Sequence, residues 1–498
     1  MGTQAADIGS NRQFWFNAQD LVQETKFLRV LQPRPVKHPA NPIMVADRPW
    51  EGTIIQLYSP DVHYDPATGQ WQMWYEGHPG LVLLCTALSG DGIHWTKPAL
   101  NLQAWHGRTD NNIILQTGYT DAHCASVVKA PTEKDPARRY KLYYWVGPAW
   151  FEGHIKPMGL TPEDVADARA RIKAYPVNGH YVAFSPDGIH FTPYLAKPAL
   201  PTSDFNTTLF DERTGRYRSY HKIMHREPGW SEARRCMWMA ESEDGVTFGK
   251  SRLVLTPDAA DDDLSRALGG LRAEFYGMHV WPCGDFYLGL LWVFTVTNVN
   301  PKLGRGWDDG RIEPQLIYSP DGIAWQRMPV REPFIPHGPA GSFEAGSVYS
   351  AGDQPVLIGD EVRFYYFGVS YTHGFSEPVN SPNCYSGFGL ATLGRDRYVA
   401  WQAGAVPGIL RTKALKFSGR RLHLNLDASR GEARVALLDA EGRTLPGFSA
   451  EDCQAISADS FDHVVTWGNT SDLAALIGKE VQVEFSLRQT ALYTWQFK

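Results

Sequence analysis

An all-β fold is predicted by three observations in this 498-residue chain. A tight-turn motif recurs four times, strand-like runs rich in Trp, Tyr and Phe precede every copy, and 46 Gly and 34 Pro punctuate the sequence. Many short strands at regular spacing, joined by turns, are the pattern of repeated β-sheets. The units number five, so the expected architecture is a five-bladed β-propeller followed by a C-terminal β-sandwich. Residues 1–35 form an N-terminal extension, 36–402 the propeller and 403–498 the sandwich.

The turn motif is Ser-x-Asp-Gly-aliphatic-x-aromatic, at Ser89 to Trp95, Ser185 to Phe191, Ser242 to Phe248 and Ser319 to Trp325. Asp-Gly between apolar runs signals a hairpin, because Gly takes positive φ without a steric penalty. Each aromatic is expected to pack beneath its turn. Before each copy comes a common scheme: an acidic residue, an apolar run, a polar turn and an aromatic strand. The first unit runs from Glu51 to the strand Trp71 to Tyr75, the second from Asp121 to Tyr140–Trp145, the third from Asp204 to Tyr217–Tyr220. The fourth runs from Glu274 to Phe286–Leu288, and the fifth from Glu344 to Val362–Tyr366, its closing turn replaced by Gly394-Arg395-Asp396-Arg397-Tyr398. Intervals of roughly 70 to 80 residues suit four-stranded blades with insertions. One insertion, Thr161 to Ala174, opens Thr-Pro-Glu-Asp and predicts a short helix with a side-chain cap and Pro at its first position. From Gly408 onward the repeat stops and alternating strands such as Leu422 to Leu426, Ala433 to Leu438 and Val481 to Phe485 predict the sandwich.

Bulk properties narrow the function. The formal charge of −6 comes from 48 basic and 54 acidic residues mixed along the chain, leaving no basic stripe for a phosphate backbone. No nucleic-acid partner and no membrane partner is expected, since no apolar run approaches the ~18 residues of a span. The six cysteines are scattered without metal-ligand spacing and read as buried thiols. Met1 to Gln13 is polar and unlike a secretory leader, so the expected location is cytoplasmic. The oligomeric state is not legible.

In a propeller the innermost strands line one axis, so acidic residues in a shared register converge on one funnel. That register gives Glu51, Asp121, Asp204, Glu274 and Glu344 as candidate catalytic residues. Converging carboxylates repel one another and raise some pKa values unless a cation or substrate offsets the charge. Glycoside hydrolysis needs such a pair in different protonation states. His123 lies two residues after Asp121 and shares its face on a strand, whereas His279, five after Glu274, would point the other way on a regular strand. Trp50, Tyr276 and Arg272 stand beside the acidic positions and complete the expected substrate-binding set with the two histidines. No metal site and no cofactor is expected, although a structural cation in the central channel would offset the carboxylate ring.

The blade pattern, with strands such as Trp71-Gln72-Met73-Trp74-Tyr75-Glu76, resembles the five-bladed glycosidases of the invertase/levanase and arabinanase/xylosidase superfamily. The junction Asp396-Arg397-Tyr398 followed by Gly408-Ile409-Leu410-Arg411-Thr412-Lys413 is similar to the passage from last blade to sandwich in the invertase-like branch. The resemblance implies a catalytic Asp, a stabilising Asp and an acid Glu from the first three blades. The matching positions are Glu51, Asp121 and Asp204, with the first and third identities exchanged and the family's Asn-Asp-Pro-Asn, Arg-Asp-Pro and Glu-Cys elements absent. The expected function is hydrolysis of a furanoside or related glycan, with Asp121 and either Glu274 or Asp204 as acid and base. A transglycosylase or lyase on the same scaffold and a non-catalytic glycan-binding propeller are the alternatives.

Overall fold

A computed structural model describes residues 5–52, 60–117, 125–151, 160–201, 204–299, 308–351, 354–374 and 385–498. The chain is nearly all-β. Four successive antiparallel sheets of four strands each are laid down in chain order. The first holds Asp61–Asp65, Gln70–Gly77, Leu83–Ser89 and Ile113–Gln116, and the second Ser126–Lys129, Tyr140–Val146, Gly179–Ser185 and Thr192–Tyr194. The third holds Asn206–Asp211, Arg216–His225, Arg234–Ser242 and Arg252–Leu255, and the fourth Arg272–Cys283, Phe286–Asn298, Asp309–Ser319 and Gln326–Arg327. A fifth sheet joins Ser347–Ser350, Glu361–Val369 and Ser386–Gly394, with Val356–Ile358 added on Glu361–Val369. Its remaining place is filled from the other end of the chain by Val36–Lys37, which pairs with Ala391 and Thr392.

The sequence motif explains how these sheets meet. In every copy the Ser Oγ accepts from the Gly N–H, at 2.9 Å for Gly92, Gly188 and Gly322 and 3.0 Å for Gly245. The Asp carboxylate accepts from the next two N–H groups, fixing the turn. The Gly carbonyl is then presented to an aromatic donor from the second strand of the preceding sheet. Trp74 Nε1 donates to Gly188 O at 2.6 Å, Tyr143 Oη to Gly245 O at 2.8 Å and Tyr220 Oη to Gly322 O at 2.8 Å. Tyr365 Oη of the fifth sheet donates to Gly92 O of the first at 2.9 Å, returning the series to its start. The missing member is consistent: Leu290 occupies the donor position in the fourth sheet, and the fifth sheet is the one whose closing turn lacks Asp-Gly. The motif aromatics reinforce the joints, with Phe248 edge-on to Tyr143, Trp325 to Tyr220 and Trp95 to Tyr365 at 5.9–6.1 Å.

The first strands of neighbouring sheets also touch. Ser126 Oγ accepts from Thr208 N at 3.1 Å, Thr207 Oγ1 donates to Met278 O at 2.7 Å, and His279 Nδ1 meets Ser350 Oγ at 2.6 Å. One apolar core, including Met73, Trp145, Tyr220, Trp292 and Phe367, runs through all five sheets.

The C-terminal segment makes two further sheets, and the N-terminal residues are woven into both. Val22–Lys26 pairs with Gly408–Thr412, beside Gln482–Arg488 and Glu432–Leu438. Leu28–Leu31 pairs with Ala400–Ala403, beside Ala491–Phe497, Leu422–Asp427 and Asp459–Val464. Phe16 lies against Phe286 and Tyr318 of the fourth sheet, so the N-terminal residues also bridge the two parts. The insertion helix forms at Pro162–Ile172, where Thr161 Oγ1 accepts from Asp164 N and the Asp164 carboxylate accepts from Thr161 N. Cys85, Cys236, Cys283 and Cys453 are buried free thiols, while Cys124 and Cys384 lie outside the described residues. No helix among the described residues is long and apolar enough to cross a membrane.

The joints set an expected stability order. Gly188 has φ +78° and a Cβ there would lie 2.8 Å from the Trp74 ring, whereas Gly215, at φ +67°, has open space. Gly215→Ala should cost ~1 kcal/mol from the left-handed backbone alone, and Gly188→Ala clearly more in the same urea titration, because the joint must also open.

Candidate active site

A charged cluster sits where the third and fourth sheets meet, and a local irregularity builds it. On the strand Arg272–Cys283 the register against Phe286–Asn298 shifts between Phe275 and Gly277, so Tyr276 is the extra residue of a β-bulge. Bulges re-aim a side chain and break strict alternation. Here the bulge follows Glu274, two residues after Arg272.

Glu274 is fully buried and doubly paired: Arg235 Nη1 donates to Oε2 at 2.6 Å and Arg272 Nε to Oε1 at 2.8 Å. Arg272 has its remaining nitrogens on two other carboxylates, Nη2 on Asp308 at 3.0 Å and Nη1 on Glu232 at 2.6 Å. Arg235 also reaches Asp308, at 3.7 Å. Two guanidinium groups therefore hold Glu274 and Asp308 together, a geometry suited to the planar fork of arginine. Asp308 is buried, and its Oδ1 has no hydrogen-bond partner among the described residues. Burial raises its pKa above the ordinary carboxylate value; Arg235 and Arg272 oppose this, and the charges of Glu274 and Glu232 add to it.

A second group of contacts is organised around the buried Tyr276. Lys222 Nζ stands 3.5 Å from the centre of its ring and Arg235 lies 5.4 Å away. Lys222 pairs with Asp204 at 3.2 Å, and the Asp204 side chain is about a quarter exposed (27%). Tyr276 Oη meets His373 Nε2 at 3.1 Å. His373 is itself pinned to the start of Asp309–Ser319 by reciprocal backbone bonds with Gly310, at 2.9 and 3.2 Å, and by Nδ1 on the Asp308 carbonyl at 2.8 Å.

Asp204, Glu274, Tyr276 and Arg272 are thus brought into one neighbourhood. The other predicted positions are placed differently. Glu51 does not begin an inner strand: it closes the 3₁₀ turn Pro49–Glu51, ahead of Asp61–Asp65. Its buried carboxylate is saturated by Asp47 N, Arg48 N, Tyr75 Oη at 2.5 Å and Lys97 at 2.8 Å. Glu344 precedes Ser347–Ser350 and pairs with Lys37 at 2.8 Å. Among the described residues no hydrogen bond or ion pair joins either one to the cluster. Trp50 Nε1 donates to Asn112 Oδ1 at 2.7 Å, tying the Glu51 turn to the first sheet. His279 is core: it sits against Ser350, Trp292 and Phe205, and burial depresses its pKa well below the ordinary value. Asp121 and His123 lie outside the described residues. Among the described residues no group of His, Cys, Asp or Glu is arranged to hold a metal ion.

Lys222, Glu232, Arg235, Asp308 and His373 were missed by sequence reasoning. Asp308-Asp309 and Arg234-Arg235 are visible charge pairs, but they fall outside the repeat register that selected the other candidates.

No family model matches the sequence, and no curated protein matches it. Among solved structures, a complex of BT0996 with RGII is similar at 14% identity and a TM-score of 0.46, covering 74% of this protein and 94% of that one. A β-1,2-mannobiose phosphorylase from Listeria innocua with bound β-1,2-mannobiose is similar at 11% identity and a TM-score of 0.43, covering 72% and 96%. A thermostable family-43 glycoside hydrolase is similar at 11% identity and a TM-score of 0.42, covering 70% and 91%.

Two measurements probe this geometry. Arg272→Met takes one guanidinium from three carboxylates at once, leaving Arg235 alone between Glu274 and Asp308, and should cost ~3–5 kcal/mol in denaturant unfolding, with Arg272→Lys giving only partial recovery. The second concerns His279, whose folded pKa is depressed, so its contribution is complete above the unfolded value of ~6.5 and is lost as pH falls towards the folded value. His279→Gln should therefore lose less unfolding free energy than the parent between pH 7 and pH 4.5.

Proposed function

We propose that the five linked sheets are the blades of a five-bladed β-propeller flanked by a C-terminal β-sandwich, and that the chain is a glycosidase working at the Glu274–Asp308 cluster. The observation that carries this reading is the geometry at Asp308, a buried carboxyl group held beside Glu274 by two arginines, with one oxygen unused among the described residues; burial shifts its pKa upward. Glycoside cleavage requires an acid that keeps its proton until the leaving oxygen takes it.

In this reading Asp308 is that acid. When its proton leaves, the carboxylate left behind is already beside Arg272 at 3.0 Å and Arg235 at 3.7 Å, so no reorganisation is needed to stabilise it. Glu274 holds both guanidinium groups in place and acts through them. The complementary base is drawn from the Asp204–Lys222–Tyr276 side of the cluster, where the Asp204 side chain is about a quarter exposed. Asp121 and His123 are retained as proposed contributors on their sequence positions, close in the chain to Ala125, whose N–H donates to the buried Glu76 carboxylate at 3.0 Å. The substrate class is a furanoside or related glycan, with water, or a sugar acceptor in a transglycosylase, completing the reaction.

The test is sugar release by the purified protein from aryl glycosides and furanose-containing glycans. Asp308→Asn should lower the rate ~100-fold or more, as loss of a general acid requires. The parent's rate should fall as pH rises through the raised Asp308 pKa, because only the protonated form donates. An inactive parent, or an Asp308→Asn variant as active as the parent, overturns the assignment.

A further inference from the structure

We infer that Tyr276 and His373 form a proton-accepting dyad, with the Tyr276 hydroxyl as the group that takes the proton from the attacking water and His373 as its acceptor. This rests on the glycosidase reading above and names the base that reading leaves unassigned.

The direction of the dyad follows from the hydrogen bonds. His373 Nδ1 is 2.8 Å from the carbonyl oxygen of Asp308, which can only accept. In the neutral imidazole Nδ1 therefore carries the ring proton, and Nε2 presents its lone pair. The group at Nε2 is Tyr276 Oη, at 3.1 Å, so the phenol donates and the imidazole accepts. This is the opposite tautomer to the Nε2–H form favoured by a histidine side chain free in water. It is held by the main chain, since His373 is locked to Gly310 by two backbone bonds.

The surroundings favour negative charge on the phenol oxygen. The Lys222 ammonium lies 3.5 Å above the ring and the Arg235 guanidinium 5.4 Å away. Among the described residues the charged groups around the dyad are Lys222 and Arg235 at the Tyr276 ring, Asp204 and Glu274 paired with those cations, Asp308 through its carbonyl, and Asp309, which accepts from Thr372 Oγ1 at 2.6 Å beside His373. Neither cation is spent on Tyr276 alone, as Lys222 pairs with Asp204 and Arg235 with Glu274. His373 is half-buried, whereas Tyr276 is almost fully enclosed, so the proton can leave through the imidazole.

The step balances. The water O–H bond breaks as its oxygen bonds to the anomeric carbon, and that proton goes to Tyr276 Oη while the phenol's own proton passes to His373 Nε2. The anomeric carbon–oxygen bond to the leaving group breaks, and that oxygen takes the Asp308 proton. The His373 imidazolium then releases its proton to solvent, and Asp308 is reprotonated. No oxidant, reductant or metal enters.

The experiment pairs a spectroscopic and a kinetic measurement on the full chain. With ¹⁵N-histidine labelling, His373 should give the Nδ1–H tautomer pattern, and Tyr276→Phe should shift its Nε2 resonance while the ring stays under Lys222. In the release assay Tyr276→Phe and His373→Gln should each lower kcat ~100-fold or more with KM little changed, and the double variant should be no slower than the worse single one. The acid limb of the pH profile should disappear in His373→Gln. A His373 in the Nε2–H form, or a Tyr276→Phe variant within ~3-fold of an active parent, overturns the dyad and leaves Asp308 as acid untouched. A parent without activity overturns the glycosidase reading and the dyad's role together.

Discussion

The rest of the molecule depends on one repeated hydrogen bond, from an aromatic side chain in one sheet to the carbonyl of the Asp-Gly turn in the next. It is buried at both ends, so leaving either group unpaired carries a desolvation cost of ~1–3 kcal/mol. That cost makes the bond directional: a sheet is satisfied only when the following sheet is in place. The turn glycine is needed twice, for its positive φ and because the donor side chain comes too close for a Cβ at Gly92, Gly188 and Gly245, as Arg218 does at Gly322. Where the following turn lacks Asp-Gly, the donor is replaced by Leu290, which needs no partner. The joint from the fourth sheet to the fifth is made instead by Ser347 and Ser350, which bond to Ile312 N and to His279 and Trp292.

The turn half of this device was legible in the sequence because it is local, whereas its aromatic donors lie about a hundred residues or more away and were not read. Serine, aspartate, glycine and an aromatic within seven residues carry the turn chemistry themselves, and each aromatic strand lies one turn upstream. The insertion helix was legible for the same reason, through the Thr161 cap. The helix Ala259–Ala267 carried an equivalent signal in Asp258 and Asp261, which cap each other's backbone N–H groups, and it went unread because the repeat placed no element there. Long-range pairing was not legible. Nothing in Val22–Lys26 or Leu28–Leu31 says that their partners are about 385 and 370 residues further on, and Val36–Lys37 is too short to announce itself as the strand that completes the fifth sheet.

Of the acidic positions the register selected, Asp204 and Glu274 lie in one neighbourhood and Glu51 and Glu344 do not, for physical reasons. Register arithmetic assumes regular strands and assumes that an acidic residue near a strand start points at the axis. Glu51 breaks the second assumption, since Lys97, Tyr75 and two N–H groups turn its carboxylate into an anchor for a loop. The bulge at Tyr276 breaks the first. Asp308 and His373 come from outside the repeat, brought in by a backbone bridge between segments more than sixty residues apart, and no periodicity reports on that.

The bridge explains why the proposed acid and base remain separate groups. Asp308 offers its carboxyl group to two arginines and its carbonyl to His373, so one residue faces both halves of the chemistry. A carboxylate placed directly against the base would share its proton with it and lose the difference in protonation that cleavage requires. Here the link runs through the peptide carbonyl, which fixes the imidazole without exchanging a proton with it. The spacing is set by Gly310, where a Cβ would fall 2.0 Å from the Thr295 carbonyl oxygen. The absence of a side chain there lets the strand Asp309–Ser319 begin close against its neighbour, and His373 can pair with it only because it does. The proposed acid and base at Asp308 and Tyr276 are therefore held by the backbone of the fourth sheet, whose own position is set by the joints on either side of it.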